Sequence, residues 1–171
     1  MTREDEPLFL ETHPAASDTP ADDPRLADRI RDLVEGQRYG VLCTQGHEQP
    51  YGSLIAFAFA DDLSFAVFAT PLATRKYRLL SECGHVALVV DSRPDHPDDM
   101  MKVEALTATG EAVEVARGAT FDEYARLLTG RHPQLEAFVH APSCALFRIN
   151  VVRFFHVTRF QEVGQWVPPS R

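Results

Sequence analysis

The spacing of apolar residues in the first part of the chain is that of a helix. Four apolar residues between Arg25 and Glu35 fall on one side of such a helix: Leu26, Ile30, Leu33 and Val34. Asp23 is a suitable N-cap, Pro24 suits the first turn, and Gly36 is a typical helix end. The pattern therefore predicts a helix from about Arg25 to Glu35 with one apolar face.

After Gly36 apolar and polar residues alternate, which is the spacing of β-strands. The turns Gly46-His47 and Asp61-Asp62 separate the first three strands. The predicted strands are, in chain order, 38–45, 50–60, 63–70, 85–91, 102–116 and 145–159. The strand over 85–91 is apolar throughout, which indicates burial on both faces, and Gly110 in the next strand predicts a bulge or a sharp bend.

Three short helices are predicted between the strands. The first follows Thr74 and has the sequence RKYRLLSE. The second begins at Thr120, because Thr120 and Glu123 have the spacing of a capping box, and the third begins at Pro133. Their expected buried residues are Tyr124, Leu127 and Leu128 in the second helix and Leu135, Phe138 and Val139 in the third. The polar, proline-containing residues 92–101 are predicted to form a loop.

Six or so strands with a few peripheral helices predict a small antiparallel β-barrel. The strand over 50–60 is apolar on both faces, with Leu54, Ala56 and Ala58 on one side and Ile55, Phe57 and Phe59 on the other. A barrel that stands alone needs only its inner face to be apolar, and large exposed apolar patches are unusual in monomers. We therefore expect a second copy of the chain to cover the outer face, in a homodimer.

The composition is that of one soluble domain, with 171 residues of which 44% are hydrophobic and 25% are charged. Residues 1–24 carry seven acids and one base, which is −6 of the formal net charge of −8, and predict a disordered acidic tail before a domain over 25–171. The nearly neutral domain argues against a nucleic-acid partner. No apolar run approaches the roughly 20 residues of a membrane helix, so no membrane partner is expected. The first ten residues are acidic, unlike a secretory leader, and the expected location is the cytoplasm.

The cysteines and histidines do not form a recognisable reactive or metal-binding motif. Cys43, Cys83 and Cys144 lie far apart in the sequence and are interpreted as reduced thiols without a functional role. The histidines lack the spacing of metal ligands, so no metal site is predicted. His156, in a strand that reads Phe-Phe-His-Val, is interpreted as a packed or hydrogen-bonded residue.

Two cations follow the third predicted strand, where a helix begins. Thr70 closes the strand, Thr74 is the expected N-cap, and Arg75 and Lys76 occupy the first helical turn. A helix N-terminus repels a cation by roughly 0.3–1 kcal/mol, so this arrangement is unfavourable unless an anion is bound. Free N–H groups, hydroxyls and two cations at one point predict a phosphate site. The alternative, in which both cations extend into water and pair with surface acids, stays open on these residues alone.

The order of these elements resembles the FMN-binding split barrel of the pyridoxamine 5′-phosphate oxidase superfamily. The most specific part is the T-x₃-T-R-K segment over 70–76, followed ten residues later by the strand VALVVD. Residues 50–55 are similar to the family's second strand, whose backbone lies along the flavin ring, and residues 105–110 resemble the strand that reaches the flavin from the other subunit. The resemblance covers about residues 25–160. It implies a mainly β (α+β) fold, a six- to seven-stranded antiparallel split barrel with peripheral short helices, in a homodimer.

The resemblance also implies which residues hold the cofactor FMN. Arg75 and Lys76 would bind the phosphate with Thr74 nearby, and Ala69 and Thr70 would contact the ribityl chain or the edge of the ring. The remaining residues of this set would hydrogen-bond to the ring and pack beside it: Ser53, Leu54 and Ile55. The flavin would lie at the interface between two subunits.

The substrate site of the family is not matched in this sequence. Tyr51 stands where the oxidases have an arginine, and Ala105 stands where they have a glutamine. Their C-terminal E-F-W and R-L-H-D-R segments are missing, and Trp166 is a possible remnant and a candidate cofactor-binding residue. The other interpretation of Trp166 is that it closes an edge of the core. We therefore expect the chain to have kept the cofactor and not the vitamin B6 substrate.

The function that the resemblance implies is a flavoprotein oxidoreductase that holds FMN non-covalently. The catalytic residues, the substrate and the electron donor stay open. Two alternatives also stay open: a non-catalytic protein that binds or carries flavin or heme, and an enzyme similar to the nitroimidazole reductases of the same fold. Some relatives act on heme through a C-terminal histidine, a role in which His156 is a candidate.

Overall fold

The computed structural model describes residues 24–46, 49–159 and 162–169. The predicted acidic tail and the N-cap Asp23 lie outside the described residues, apart from Pro24, with which the first helix begins. The helices are α1 (Pro24–Gly36), α2 (Arg75–Glu82), α3 (Ala119–Arg131) and α4 (Glu136–His140). The strands are β1 (Tyr39–Gly46), β2 (Gln49–Ala56), β3 (Ala58–Phe59), β4 (Phe65–Pro71), β5 (His85–Asp91), β6 (Ala105–Glu114), β7 (Cys144–Thr158) and β8 (Glu162–Trp166).

The strands form one antiparallel sheet that curls into a half-barrel. Its order is β2-β1-β5-β6-β7-β4-β3, and β8 is added as a further partner of β7. The 15 residues of β7 hold the sheet together, because β7 pairs with β6 along most of its length, with β4 near its start and with β8 near its end. The predicted mainly β split barrel with short peripheral helices is therefore confirmed.

The strand predicted over 50–60 is two strands, and this prediction was wrong. The chain leaves its pairing with β1 at Ala56, which lies opposite Tyr39, and joins β4 at Ala58, which lies opposite Val67. Phe57, between them, is fully buried. The apolar pattern runs through the break because both segments face the core, so the sequence does not reveal where the chain changes partner.

Two further predictions needed correction at the ends of elements. The sheet has eight strands rather than six to seven, because β8 forms a hairpin with the end of β7 that the sequence pattern did not indicate. The capping box at Thr120 does not form: α3 begins at Ala119, and its N-cap is Gly118, which has no side chain to donate or accept. By contrast, the register of β6 on β7 shifts between Thr109 and Gly110, which confirms the predicted bulge.

Two apolar clusters lie on opposite sides of the sheet. The larger one fills the half-barrel, where α1 and α2 pack on the inner side chains of the strands, among them Leu42, Leu88 and Phe154. The smaller one lies beneath α3 and α4 against β3, β4 and β7, and is centred on Phe121, Leu128 and Val139. In the described ranges no helix is both long and apolar enough to cross a membrane.

Candidate functional site

The loop between β4 and α2 brings two hydroxyls to the start of a helix. Thr74 is the N-cap of α2, and its Oγ1 accepts a hydrogen bond from the Tyr77 amide at 3.2 Å. The same hydroxyl donates to the carbonyl oxygen of Pro71 at 2.9 Å and lies 3.1 Å from Oγ1 of Thr70. The loop conformation is therefore fixed by local hydrogen bonds, and the other amides of the first helical turn point out of the helix end.

Arg75 and Lys76 are the first two residues of α2, as the sequence predicted. The first turn of the helix contains no acid, and neither cation forms an ion pair with any residue that the structure describes. Lys76 is half-buried, and the loss of hydration lowers the pKa of its ammonium group. Two uncompensated cations at the positive end of a helix dipole create a local potential that favours a bound anion.

Strand β2 lies beside this helix end. The guanidinium carbon of Arg75 is 5.0 Å from the centre of the Tyr51 ring, and Nζ of Lys76 is 5.9 Å from the centre of the Phe68 ring in β4. Strand β2 ends the sheet order, and among the described strands it pairs with β1 alone, so the described sheet does not use the backbone groups of its other edge. The start of α2 therefore lies against the Tyr51 side chain of β2.

The structure brings together some of the predicted cofactor residues and separates others. Thr70, Thr74, Arg75 and Lys76 form one group around the start of α2. Ser53 lies on β2 on the same face as Tyr51, and its Oγ is 3.5 Å from the carbonyl oxygen of Leu42.

Four predicted residues point elsewhere. Leu54 lies on the outer face of β2 with 69% of its surface exposed, and Ile55 is buried in the inner core. Ala69 packs against the smaller apolar cluster. Trp166 is buried in the inner core beside Phe154, with 5.6 Å between ring centres, so its location agrees with the core-edge interpretation. The predicted roles of these residues in cofactor binding stay predictions.

Several cavities open on the outer face of the sheet, and in two of them sequence reasoning did not identify most of the lining residues. One has a volume of about 680 Å³, with a floor of Val89, Ala105 and Val157 beneath the loop that carries Met100. The other has a volume of about 380 Å³, and its lining includes Cys43, Ala87, Thr107, Thr109 and Phe155. The available signal was the alternation of β5 and β6, which places Ala87 and Val89 of β5 and Ala105 and Thr107 of β6 on the outer face.

Two of the cysteines are at least partly buried in the sheet. Cys43 is half-buried and Cys144 is buried, and burial raises the pKa of both thiols, which disfavours the reactive thiolate. Among the described residues no cluster of three histidine, cysteine or acidic side chains could hold a metal ion.

His156 is buried, and its Nε2 lies 2.8 Å from Oε2 of Glu104, whose other oxygen accepts from Arg29 at 3.1 Å. Burial lowers the pKa of His156, although the Glu104 hydrogen bond acts in the opposite direction. The ring is therefore packed and hydrogen-bonded, as the sequence interpretation had it.

Comparison with known proteins adds a family and a set of similar folds. A family model described as pyridoxamine 5′-phosphate oxidase matches residues 26–158. Among curated proteins none matches the chain significantly.

Three solved structures illustrate the likeness in fold. A heme-binding protein from Mycobacterium smegmatis has a TM-score of 0.75 and 14% identity, over 85% of this chain and 59% of that one. A relative of general stress protein 26 from Clostridium acetobutylicum, described as of the pyridoxinephosphate oxidase family, has a TM-score of 0.67 and 14% identity, over 85% and 96% of the two chains. A FAD-binding protein from Mesorhizobium loti has a TM-score of 0.63 and 16% identity, over 76% of this chain and 90% of that one. At these identities the similarity shows the fold alone.

Proposed function

The chain belongs to the pyridoxamine 5′-phosphate oxidase family, and on this premise we propose that it binds FMN and acts as a flavin-dependent oxidoreductase. The observation that carries the proposal is the pair of uncompensated cations at the start of α2, with Arg75 over the Tyr51 ring of β2. A doubly negative phosphate would neutralise both cations and would accept hydrogen bonds from the helix amides. An anionic group attached to a flat ring is the ligand that suits both features.

The residues at the start of α2 fit the phosphate of FMN. Arg75 is exposed and can approach two phosphate oxygens in parallel, whereas Lys76 is half-buried and supplies a point charge in a drier environment. The buried hydroxyl of Thr70 lies 3.1 Å from that of Thr74 and helps to hold the loop that presents these two cations. The bound anion would thereby offset the repulsion between the two cations and the positive end of the α2 dipole.

The edge of β2 fits the flavin ring. Ser53 and its neighbours have backbone N–H and C=O groups along an edge of β2 that none of the described strands pairs with. The pyrimidine side of a flavin also alternates donors and acceptors, so it can continue the hydrogen bonding of the strand. Arg75, above the Tyr51 ring, marks where this edge meets the phosphate site.

The protein's part in the reaction is to bind and orient the cofactor and to control access of water. When bound, FMN supplies the hydride or electron transfer. No described side chain is a compelling general acid or base, so the catalytic residues stay unassigned. Because Tyr51 and Ala105 replace the arginine and the glutamine of the vitamin B6 oxidases, the proposed substrate is not pyridoxamine phosphate.

The proposal includes a homodimer with the flavin at the interface. The outer face of the sheet carries the exposed Leu54 and the apolar floor of the 680 Å³ cavity, and a second copy would bury both. The smaller outer cavity, with Thr107 and Thr109, lies on the strand that the family resemblance assigns to the partner's flavin. Sedimentation or light scattering of the purified protein tests the dimer.

The absorption spectrum of the purified protein tests the cofactor. A flavin spectrum, FMN identified by mass after denaturation, and bleaching by NADH or NADPH under anaerobic conditions would support the oxidoreductase. A flavin spectrum that no reductant changes would favour a carrier. A Soret band, together with failure of the apoprotein to bind added FMN, would replace the flavin proposal by heme binding.

A further inference from the structure

The residue that follows α3 contacts the point where β2 ends. His132 is fully buried, and its Nε2 lies 2.9 Å from the carbonyl oxygen of Phe57. A carbonyl only accepts, so Nε2 must carry the hydrogen and donate it. The other ring nitrogen, Nδ1, is buried and has no hydrogen-bond partner in the described structure. The imidazole is therefore neutral, with its single hydrogen committed to Phe57.

Arg131, the preceding residue, attaches the same helix end to α1. Its guanidinium group donates to the carbonyl oxygens of Val34, Glu35 and Gln37 at the end of α1. Its central carbon lies 5.6 Å from the centre of the Phe57 ring. Two consecutive side chains thus connect the end of α3 to α1 and to the junction of β2 and β3.

Phe57 forms the junction between β2 and β3. Ala56 is the last residue paired with β1, and Ala58 is the first paired with β4, so Phe57 crosses between the two sides of the barrel. Its carbonyl lies between these two ladders and is satisfied by His132. Among the described strands β2 has a sheet partner on one side only, so the His132 hydrogen bond is a restraint on this strand from outside the ladder with β1.

We propose that His132 is a positioning residue for the flavin site. Its hydrogen bond to Phe57 holds the end of β2, the strand whose unpaired edge would hold the flavin ring. The proposal rests on the proposed function, because it concerns the same site. His132 does not touch the cofactor and acts through the backbone of β2.

The test compares His132→Leu, which removes the donor, with His132→Gln, whose amide N–H can reach the same carbonyl. The first readout is hydrogen–deuterium exchange over residues 49–56 in the flavin-free protein, and the second is the FMN dissociation constant. In H132L we expect faster exchange and FMN binding about tenfold weaker, a factor that corresponds to about 1.4 kcal/mol. In H132Q both values should return close to those of the wild type.

A matched control separates positioning from general destabilisation. Val139→Ala removes a fully buried side chain of α4 in the smaller apolar cluster, away from β2. It should lower the melting temperature and leave both the exchange of β2 and the FMN affinity unchanged. If H132L does not fold, His132→Asn removes the same hydrogen bond with a shorter polar side chain.

Two results would overturn the proposal: unchanged β2 exchange in H132L or H132N, or an equal effect of V139A on exchange and affinity. If the wild type binds no FMN, the proposed function fails. Faster hydrogen–deuterium exchange of β2 in H132L would then still show that the His132 hydrogen bond restrains this strand.

Discussion

The two cations at the start of α2 lead to opposite predictions for ligand affinity and for protein stability. The perturbation is the double substitution Arg75→Gln and Lys76→Gln, which removes both charges and keeps a polar side chain at each position. In the free protein these charges oppose the helix dipole, at roughly 0.3–1 kcal/mol each. Their removal should therefore not destabilise the flavin-free protein, even though Lys76 loses its position over the Phe68 ring.

The expected loss of FMN affinity is large. A hydrogen bond that involves a charged group contributes about 1.5–3 kcal/mol. Arg75 is exposed, so we assign it the lower value of about 1.5 kcal/mol, and half-buried Lys76 about 2.5 kcal/mol. Together these amount to about 4 kcal/mol, or about three orders of magnitude in the FMN dissociation constant.

The assay is a fluorescence titration of the apoprotein with FMN and, separately, with riboflavin. Riboflavin has the same ring and lacks the phosphate, so the double variant should bind it as the wild type does. Arg78→Gln is the matched control, because Arg78 is an exposed cation on the same helix beyond its first turn. This control should change neither dissociation constant appreciably.

The reasoning would be refuted if FMN and riboflavin lost the same affinity in the double variant, since the effect would then not depend on the phosphate. It would also fail if R78Q weakened FMN binding as much as the double variant does. A marked fall in the melting temperature of the flavin-free double variant would show that the two charges stabilise the free protein, which contradicts their proposed role in binding a ligand.

Three further predictions concern stability and are checked by thermal or urea denaturation. Thr74→Ala should cost about 1 kcal/mol by removing the N-cap of α2, and Thr74→Ser should restore most of it. Gly110→Ala should be strongly destabilising, because a Cβ there would collide with the carbonyl oxygen of Asn150, whereas Gly36→Ala meets open space and should be nearly neutral; equal effects would contradict the bulge geometry. Burial lowers the pKa of His132, so the unfolded chain takes up its proton more readily than the fold does, and stability should fall as the pH drops below about 6.5. In H132Q the drop in melting temperature between about pH 7.5 and pH 5.5 should be smaller, and an identical drop would exclude His132 as a contributor.

The elements that were predicted with correct ends are those with local signals. The helix α2 and the strand β5 have the predicted bounds, because Thr74 caps the helix, Gly84 precedes the strand and Asp91 ends it. That the residues proposed to bind the phosphate lie together was predictable for the same reason. Thr70, Thr74, Arg75 and Lys76 lie within seven residues of chain, so a strand followed by a helix is enough to bring them together.

The errors have a common cause in contacts between distant parts of the chain. The strand over 50–60 is apolar on both faces, and only the pairing with β1 and then with β4 shows that it breaks at Phe57. Thr120 has the spacing of a capping box, yet the chain enters α3 at Gly118 with a φ of +150°, a conformation that glycine tolerates. Strand β8 is short and gains its hydrogen bonds from β7, so its own residues give a weak signal.

Alternation and capping residues along the chain were sufficient for the mainly β fold, the helix α2 and the cation pair at its start, because these depend on neighbours within a few residues. Only the tertiary structure shows that Leu54 faces outward, that Trp166 lies in the core, and that His132 donates to the carbonyl oxygen of Phe57. A period of two says that successive side chains point to opposite faces, but it does not say which face is inside when both are apolar. That choice, and the hydrogen bond of a buried histidine across 75 residues of chain, are set by how the sheet closes.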